Sequence, residues 1–132
     1  FNPVGDGHNV IKVTTEYGHP VFLNYSNNAP SMISENKIIK SISLDELVKT
    51  KKINPKFIKI DVEGAEFSVL QGMRNILENF TPTIMIEKHP TLLPKNLKIS
   101  HINNFLVKSG YKVEKKIYKD DIAITEIWEK SN

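Results

Sequence analysis

The sequence contains no cysteine. This absence excludes a disulfide framework and any metal site built from thiolates, and it is in keeping with a cytoplasmic protein. No apolar run approaches the roughly 18 residues that a membrane-spanning helix needs. No stretch resembles a secretory signal peptide either. The sequence therefore predicts a protein that does not associate with a membrane.

Arginine is almost absent, because Arg74 is the only one in a chain of 132 residues. The net charge of +3 thus comes from lysines. Since arginine makes the planar, bidentate contacts to phosphate and guanine, a basic surface made of lysines argues against a reader of nucleic-acid sequence. We interpret the lysine clusters as solvated faces. The length indicates one domain with a single core.

One stretch is more informative than the rest: FIKIDVEGAE, residues 57–66. It begins as a short β-branched run, typical of a strand buried in a parallel sheet. It then turns acidic around Gly64, and beyond it apolar residues recur at helical spacing, which predicts a helix over residues 65–78. In open α/β sheets ligands bind at the carboxyl ends of strands, so Asp61 and Glu63 lie where a functional site is expected.

The flanking sequence predicts further elements on both sides of this stretch. Alternating apolar and polar residues indicate hairpins, Ser43 and Glu46 form a capping box that opens a short helix, and Gly110 is placed to end another. A second buried strand is expected to lie parallel to strand 57–62. The predicted strands are 10–14, 21–25, 37–42, 57–62, 83–87, 111–118 and 122–128, with a helix beginning near residue 100.

Asp61 is the leading candidate for chemistry, because a carboxylate at this strand end can orient or deprotonate a bound hydroxyl group. Its alternative role is to cap the helix that follows. Glu63 and Glu66 are both placed to stabilise the first helical turn electrostatically, and we interpret Glu66 as structural. For Glu63 the structural and functional interpretations stay equally open. Gly64 indicates a tight turn or a close backbone approach.

Glu87 ends the second buried strand, and neighbouring strands lie about 4.8 Å apart. Asp61 and Glu87 are thus expected to face one crevice, where like charges raise one pKa or attract a cation. His89 would complete a set of metal ligands of the Asp/Glu/His type. Since these residues show no tight spacing motif, we interpret His89 as a loop histidine that pairs with a carboxylate or water, and predict no metal.

The sequence IDVEGAE at residues 60–66 follows a capped SLDEL segment at 43–47 and precedes an apolar strand that ends in Glu87. This combination resembles the FkbM-type S-adenosylmethionine-dependent methyltransferases. The resemblance implies an α/β fold with a partial Rossmann-like class I methyltransferase sheet, mostly parallel with a C-terminal antiparallel hairpin. It also implies S-adenosylmethionine as cofactor and a sugar or small-metabolite hydroxyl as acceptor. Asp61 would act on the acceptor, with Glu63 and Glu87 assisting.

The chain departs from the family pattern in one respect. The glycine-rich cofactor loop and the acidic residue that holds the ribose have no counterpart, so residues 1–132 are expected to form a methyltransferase-like domain that lacks the N-terminal cofactor-binding half. Strand 57–62 would then have a bare edge, which either the hairpin of residues 10–25 or a second copy of the chain could cover, and we favour the homodimer. Two alternatives stay open: a non-catalytic interaction module, and a phosphate-handling or metal-dependent enzyme that uses Asp61.

Overall fold

The computed structural model describes residues 4–5, 10–16, 19–23, 36–40 and 42–132. Its elements follow the alternation of strand and helix that the sequence predicts. In chain order they are β1 (Val4–Gly5), β2 (Val10–Glu16), β3 (His19–Leu23), β4 (Asn36–Lys40), β5 (Ile42–Ser43), α1 (Leu44–Lys51), β6 (Phe57–Asp61), α2 (Glu66–Gln71), α3 (Arg74–Asn79), β7 (Thr83–Lys88), α4 (Ile99–Lys108), β8 (Tyr111–Lys119) and β9 (Ile124–Lys130).

The main sheet has the strand order β6-β7-β9-β8. β6 and β7 are parallel neighbours, as predicted, and β8 and β9 form the predicted antiparallel hairpin. Strands β6, β7 and β8 run in one direction and β9 in the opposite one. β9 lies between β7 and β8 and runs antiparallel to both, so the sheet is mixed. The terminal hairpin supplies β8 and β9, which are two of the four strands. Because β9 pairs with both β7 and β8, it makes both antiparallel pairings of the sheet.

The predicted N-terminal hairpin is also present. β2 pairs antiparallel with β3 on one side and with β4 on the other, which gives a three-stranded sheet. The predicted strand over residues 37–42 is divided, since its last residue belongs to β5, which pairs in parallel with β1. Among the described strands, β6 forms an edge of the main sheet.

The core lies between the main sheet and helices α2, α3 and α4. β-branched residues of β6 and β7 alternate inwards and meet the apolar faces of the helices. Its fully or almost fully buried members include Ile60, Val69, Leu70, Met73, Ile76, Leu77, Ile84, Ile86, Ile102, Leu106 and Trp128. None of the helices that the structure describes is both long and apolar enough to cross a bilayer.

The single helix predicted over residues 65–78 is in fact two helices. The break lies at Gly72 and Met73, which separate α2 from α3. Asp45 of α1 explains why the second helix starts where it does. Its two carboxylate oxygens each accept a hydrogen bond of 3.0 Å, from the backbone N–H groups of Asn75 and Ile76. These bonds satisfy amide donors that the start of a helix leaves without partners.

A buried ion pair links β7, β9 and α4. The ammonium of Lys88, whose side chain is 1% exposed, donates hydrogen bonds to Glu126 (2.5 Å) and to Asn103 (2.9 Å). Glu126 also accepts a bond from the indole N–H of Trp128. Burial lowers the pKa of Lys88, and the hydrogen bond and charge of Glu126 offset part of that effect. The charged groups of Lys88 and Glu126 are therefore both paired and hydrogen-bonded, which offsets the cost of removing them from water.

Candidate active site

Asp61 and Glu87 meet at the carboxyl edge of the parallel strand pair. Asp61 is the last residue of β6, and Glu87 is its direct partner in register on β7. His89 follows β7 and brings a ring nitrogen to the same place. One ligand atom from each of Asp61, Glu87 and His89 lies within 4.8 Å of the others. The predicted meeting of these side chains is therefore confirmed; we call the three residues the edge cluster.

The turn that leads from β6 into α2 is held in an unusual backbone conformation. Glu63 and Gly64 have positive φ angles of 47° and 101°. A Cβ atom at Gly64 would lie 2.3 Å from the backbone oxygen of Leu92, so the turn is pressed against the loop that follows β7. The predicted role of Gly64 in a close backbone approach is confirmed. This contact brings the acidic turn and the His89 loop together.

Asp61 does not cap the following helix, so that interpretation is wrong. The N-cap of α2 is Ala65, and no side chain caps it. The Asp61 carboxylate, 37% exposed, instead pairs with the ammonium of Lys59 at 3.1 Å. An exposed ion pair of this kind contributes little stability, about 0–1 kcal/mol. Asp61 is thus accessible at the strand end without a structural task in α2.

Glu66 is completely buried. Its Oε1 accepts a hydrogen bond from the backbone N–H of Gly64 at 3.0 Å and lies 2.8 Å from Nδ1 of His89. Its Oε2 has no hydrogen-bond partner among the described residues. The interpretation of Glu66 as structural is consistent with its bond to Gly64, but its contact with the edge cluster was not predicted. The first turn of α2 and the residue after β7 lie at the same sheet edge, but their contact also requires the close approach of Gly64 to Leu92.

His89 lies between two carboxylates. Since a carboxylate can only accept, the Nδ1–H group donates a hydrogen bond to Oε1 of Glu66. This contact turns Nε2 towards Oε1 of Glu87, 3.3 Å away. Burial lowers the pKa of His89, but the hydrogen bond to Glu66 and the charges of Glu66, Glu87 and Asp61 outweigh burial and raise the pKa above its ordinary value of 6.5. The predicted pairing of His89 with a carboxylate is confirmed.

Glu63 lies outside the edge cluster. Among the described residues, the carboxylates and imidazole whose atoms meet there belong to Asp61, Glu87 and His89, and the exposed Glu63 is not one of them. Of the three residues that the sequence predicted for chemistry, the structure therefore brings Asp61 and Glu87 together and places Glu63 apart from them.

The arrangement has a definite chemical character. Asp61, Glu66 and Glu87 bring three carboxylates to a region where, among the described residues, the imidazole of His89 and the exposed ammonium of Lys59 pair with them. Such a crevice attracts positively charged groups, and a carboxylate at its mouth can accept a proton from a bound hydroxyl.

Comparison with known proteins gives concordant results. The model of the methyltransferase FkbM domain matches residues 5–113. The hexuronic acid methyltransferase AglP of Haloferax volcanii is 42% identical over 60 residues, which are 45% of this chain and 25% of that protein.

A solved structure of methyltransferase FkbM from Methylobacillus flagellatus KT shares the fold, with a TM-score of 0.50 at 22% identity. The match covers 69% of this chain and 23% of that one. The chain thus spans about a quarter of the length of these two proteins. Since the family model covers more than half of its residues, the chain belongs to the FkbM methyltransferase family.

Proposed function

We propose that the chain provides the acceptor side of a methyl transfer from S-adenosylmethionine to a hydroxyl group of a sugar or another small metabolite. Membership of a methyltransferase family supports the reaction class, and such enzymes usually use this donor. The observation that carries the proposal is the meeting of Asp61 and Glu87 at the carboxyl edge of β6 and β7. Sites in α/β sheets lie at this edge.

In the proposed reaction Asp61 receives the proton of the acceptor hydroxyl. The hydroxyl oxygen forms a bond to the methyl carbon, and the carbon–sulfur bond breaks with its electron pair left on sulfur. Asp61 suits this role because its carboxylate is accessible and pairs with the exposed ammonium of Lys59. The reaction requires close alignment of acceptor and methyl group, so positioning contributes more than strong basicity.

Glu87 and Glu63 would assist Asp61 from different positions. Glu87 is oriented by His89 at 3.3 Å and can bind a second hydroxyl of the acceptor. Glu63 is exposed on the turn and can contact the acceptor from the solvent side. Glu66 acts through its contacts with His89 and Gly64, which makes it a positioning residue.

The described residues fit one end of the proposed donor. The sulfonium group of S-adenosylmethionine is positively charged, and the carboxylates of Asp61 and Glu87 provide complementary charge. The glycine-rich turn and the ribose-binding acidic residue that the family resemblance implies have no counterpart within residues 42–132. Asp61 and Glu87 would therefore face the reacting end of the donor, and the donor itself supplies the electrophilic methyl group.

The relative named as a hexuronic acid methyltransferase suggests the class of acceptor. We propose a sugar acid, whose ring carries both hydroxyl groups and a carboxylate. The test is methyl transfer by the full-length protein to a panel of uronic acid glycosides and the matching neutral hexosides, followed by mass spectrometry. Methylated uronic acid products are expected. Transfer to nitrogen or carbon acceptors alone would contradict the proposal.

A further inference from the structure

The edge cluster has a composition that the proposed reaction does not by itself explain. Methyl transfer to a hydroxyl needs one proton acceptor, yet Asp61, Glu87 and His89 converge within 4.8 Å. Glu66 adds a third carboxylate directly behind the ring of His89. Three carboxylates around one imidazole repel one another, and among the described residues only Asp61 is paired with a lysine ammonium, that of the exposed Lys59.

We infer that Asp61, Glu87 and His89 bind a divalent first-row transition metal such as Mn²⁺. Each residue offers one ligand atom, and two carboxylate oxygens with one imidazole nitrogen form a donor set suited to these ions. Magnesium is disfavoured, because it prefers oxygen ligands and seldom accepts imidazole. Three protein ligands would leave further positions for water or for an acceptor.

The orientation of His89 is an independent reason for this inference. A metal-binding histidine usually donates its other ring N–H to a carboxylate, which fixes the ring and directs the remaining nitrogen to the ion. Glu66 makes this contact with Nδ1 at 2.8 Å and is itself held by the N–H of Gly64. Nε2 is thereby directed at the Asp61 and Glu87 side. Oε2 of Glu66 is also buried without a hydrogen-bond partner among the described residues.

The distances require only a small adjustment. Nε2 of His89 and Oε1 of Glu87 are 3.3 Å apart, which suits two neighbouring ligands of one ion with bonds of about 2.1 Å. Ligand atoms on opposite sides of one such ion lie about 4.2 Å apart and neighbouring ones lie closer, so any pair near the 4.8 Å limit of the cluster must approach on binding. Asp61 has the freedom to move, since it is exposed and bound to the flexible ammonium of Lys59.

The use of the ion rests on the proposed function, whereas its binding rests on geometry alone. An acidic crevice repels a sugar acid, and a bound dication removes that conflict by bridging the carboxylate or hydroxyl oxygens of the acceptor to the edge cluster. Asp61 would coordinate through one oxygen and keep the other to receive the proton.

The test is calorimetric titration of the 132-residue chain with MnCl₂ in metal-free buffer. We expect saturable binding of one ion per chain, and roughly tenfold or greater weakening in Glu87→Gln, His89→Gln and Glu66→Gln. Glu63→Gln is the matched control, because it removes a charge from the same turn but no ligand; its affinity for Mn²⁺ should change less than about twofold. MgCl₂ should bind at least about tenfold more weakly than MnCl₂.

Lys59→Met provides a test that loss of folding cannot imitate. It removes the ammonium that competes for Asp61, so Mn²⁺ should bind more tightly, by about two- to threefold. No saturable Mn²⁺ binding, or equal weakening by Glu63→Gln and Glu87→Gln, would overturn the inference. Binding of Mn²⁺ together with absence of methyl transfer would support the metal site and reject the proposed function. Methyl transfer without any Mn²⁺ binding would support the proposed function and reject the metal site.

Discussion

Oε1 of Glu66 lies 2.8 Å from Nδ1 of His89, and this contact joins the first turn of α2 to the loop after β7. The same oxygen accepts the N–H of Gly64, so one buried carboxylate fixes both the acidic turn and the histidine. The positions of Asp61 and Glu87 are set by strand register, whereas the position of His89 is set by Glu66. The geometry of the edge cluster thus depends on a residue that lies behind it.

Gly64→Ala should strongly destabilise the protein. The added Cβ would lie 2.3 Å from the backbone oxygen of Leu92 at a φ of 101°, and strained positions of this kind cost about 1–3 kcal/mol before any clash. Gly110→Ala is the matched control, because its φ is 81° but the nearest atom, at 3.3 Å, belongs to the flexible side chain of Lys130. Urea unfolding should show a loss at least about 1 kcal/mol greater for Gly64→Ala. Equal losses would contradict the tight packing of the turn.

Lys88→Met should cost about 3–5 kcal/mol of unfolding free energy, because it leaves the Glu126 carboxylate buried without its cation. Adding Glu126→Gln should recover at least about 1 kcal/mol, since the amide removes the charge and still accepts the bond from Trp128. The measurement is a double-mutant cycle by chemical denaturation. Additive losses would show that the two residues are not coupled.

Tyr111→Phe should leave stability at pH 7 unchanged or increase it by up to about 1 kcal/mol. The Tyr111 hydroxyl is buried, with the residue 2% exposed, and has no hydrogen-bond partner among the described residues. A loss of more than about 1 kcal/mol at neutral pH would indicate that the hydroxyl has a partner.

The same variant tests the pH dependence of stability. Burial raises the pKa of Tyr111 from 10.0 to about 12. The unfolded chain therefore loses this proton first, and stability falls as pH rises from 10 to 12, by about 2–3 kcal/mol over two pH units. Because lysines titrate in the same range, the quantity to measure is the difference between wild type and Tyr111→Phe. A difference that does not change with pH would contradict the shift.

The 132-residue chain should bind S-adenosylhomocysteine weakly or not at all. The described residues face only the reacting end of the donor, and the turn that would approach its nucleoside has no counterpart within residues 42–132. Calorimetric titration measures this directly. A micromolar dissociation constant would show that the donor site has been misplaced.

The strand pair and its acidic edge could be predicted because both depend on local pattern. The β-branched runs before Asp61 and Glu87 define two buried strands, and parallel strands bring their carboxyl ends to one edge. The break between α2 and α3 could not be predicted. Apolar spacing continues across Met73, and the side chain that starts α3 is Asp45, which is 30 residues from Asn75 in the chain.

The contact between Glu66 and His89 depends on tertiary structure in the same way. It joins residues 23 apart and requires both the strand register and the close approach of Gly64 to Leu92. The sheet is mixed because β9 lies between β7 and β8. The alternation of apolar and polar residues within each strand does not determine this strand order.

The most direct test of the proposed site is methyl transfer from radiolabelled S-adenosylmethionine by the full-length protein carrying Asp61→Asn. We expect the rate of transfer to fall by about 100-fold or more, with an unchanged melting temperature, because Asp61 is exposed and caps no helix. Glu78→Gln, an exposed carboxylate in α3 away from the carboxyl edge, is the control and should retain the wild-type rate. Wild-type transfer by a folded Asp61→Asn protein would contradict the assignment of the site to this edge.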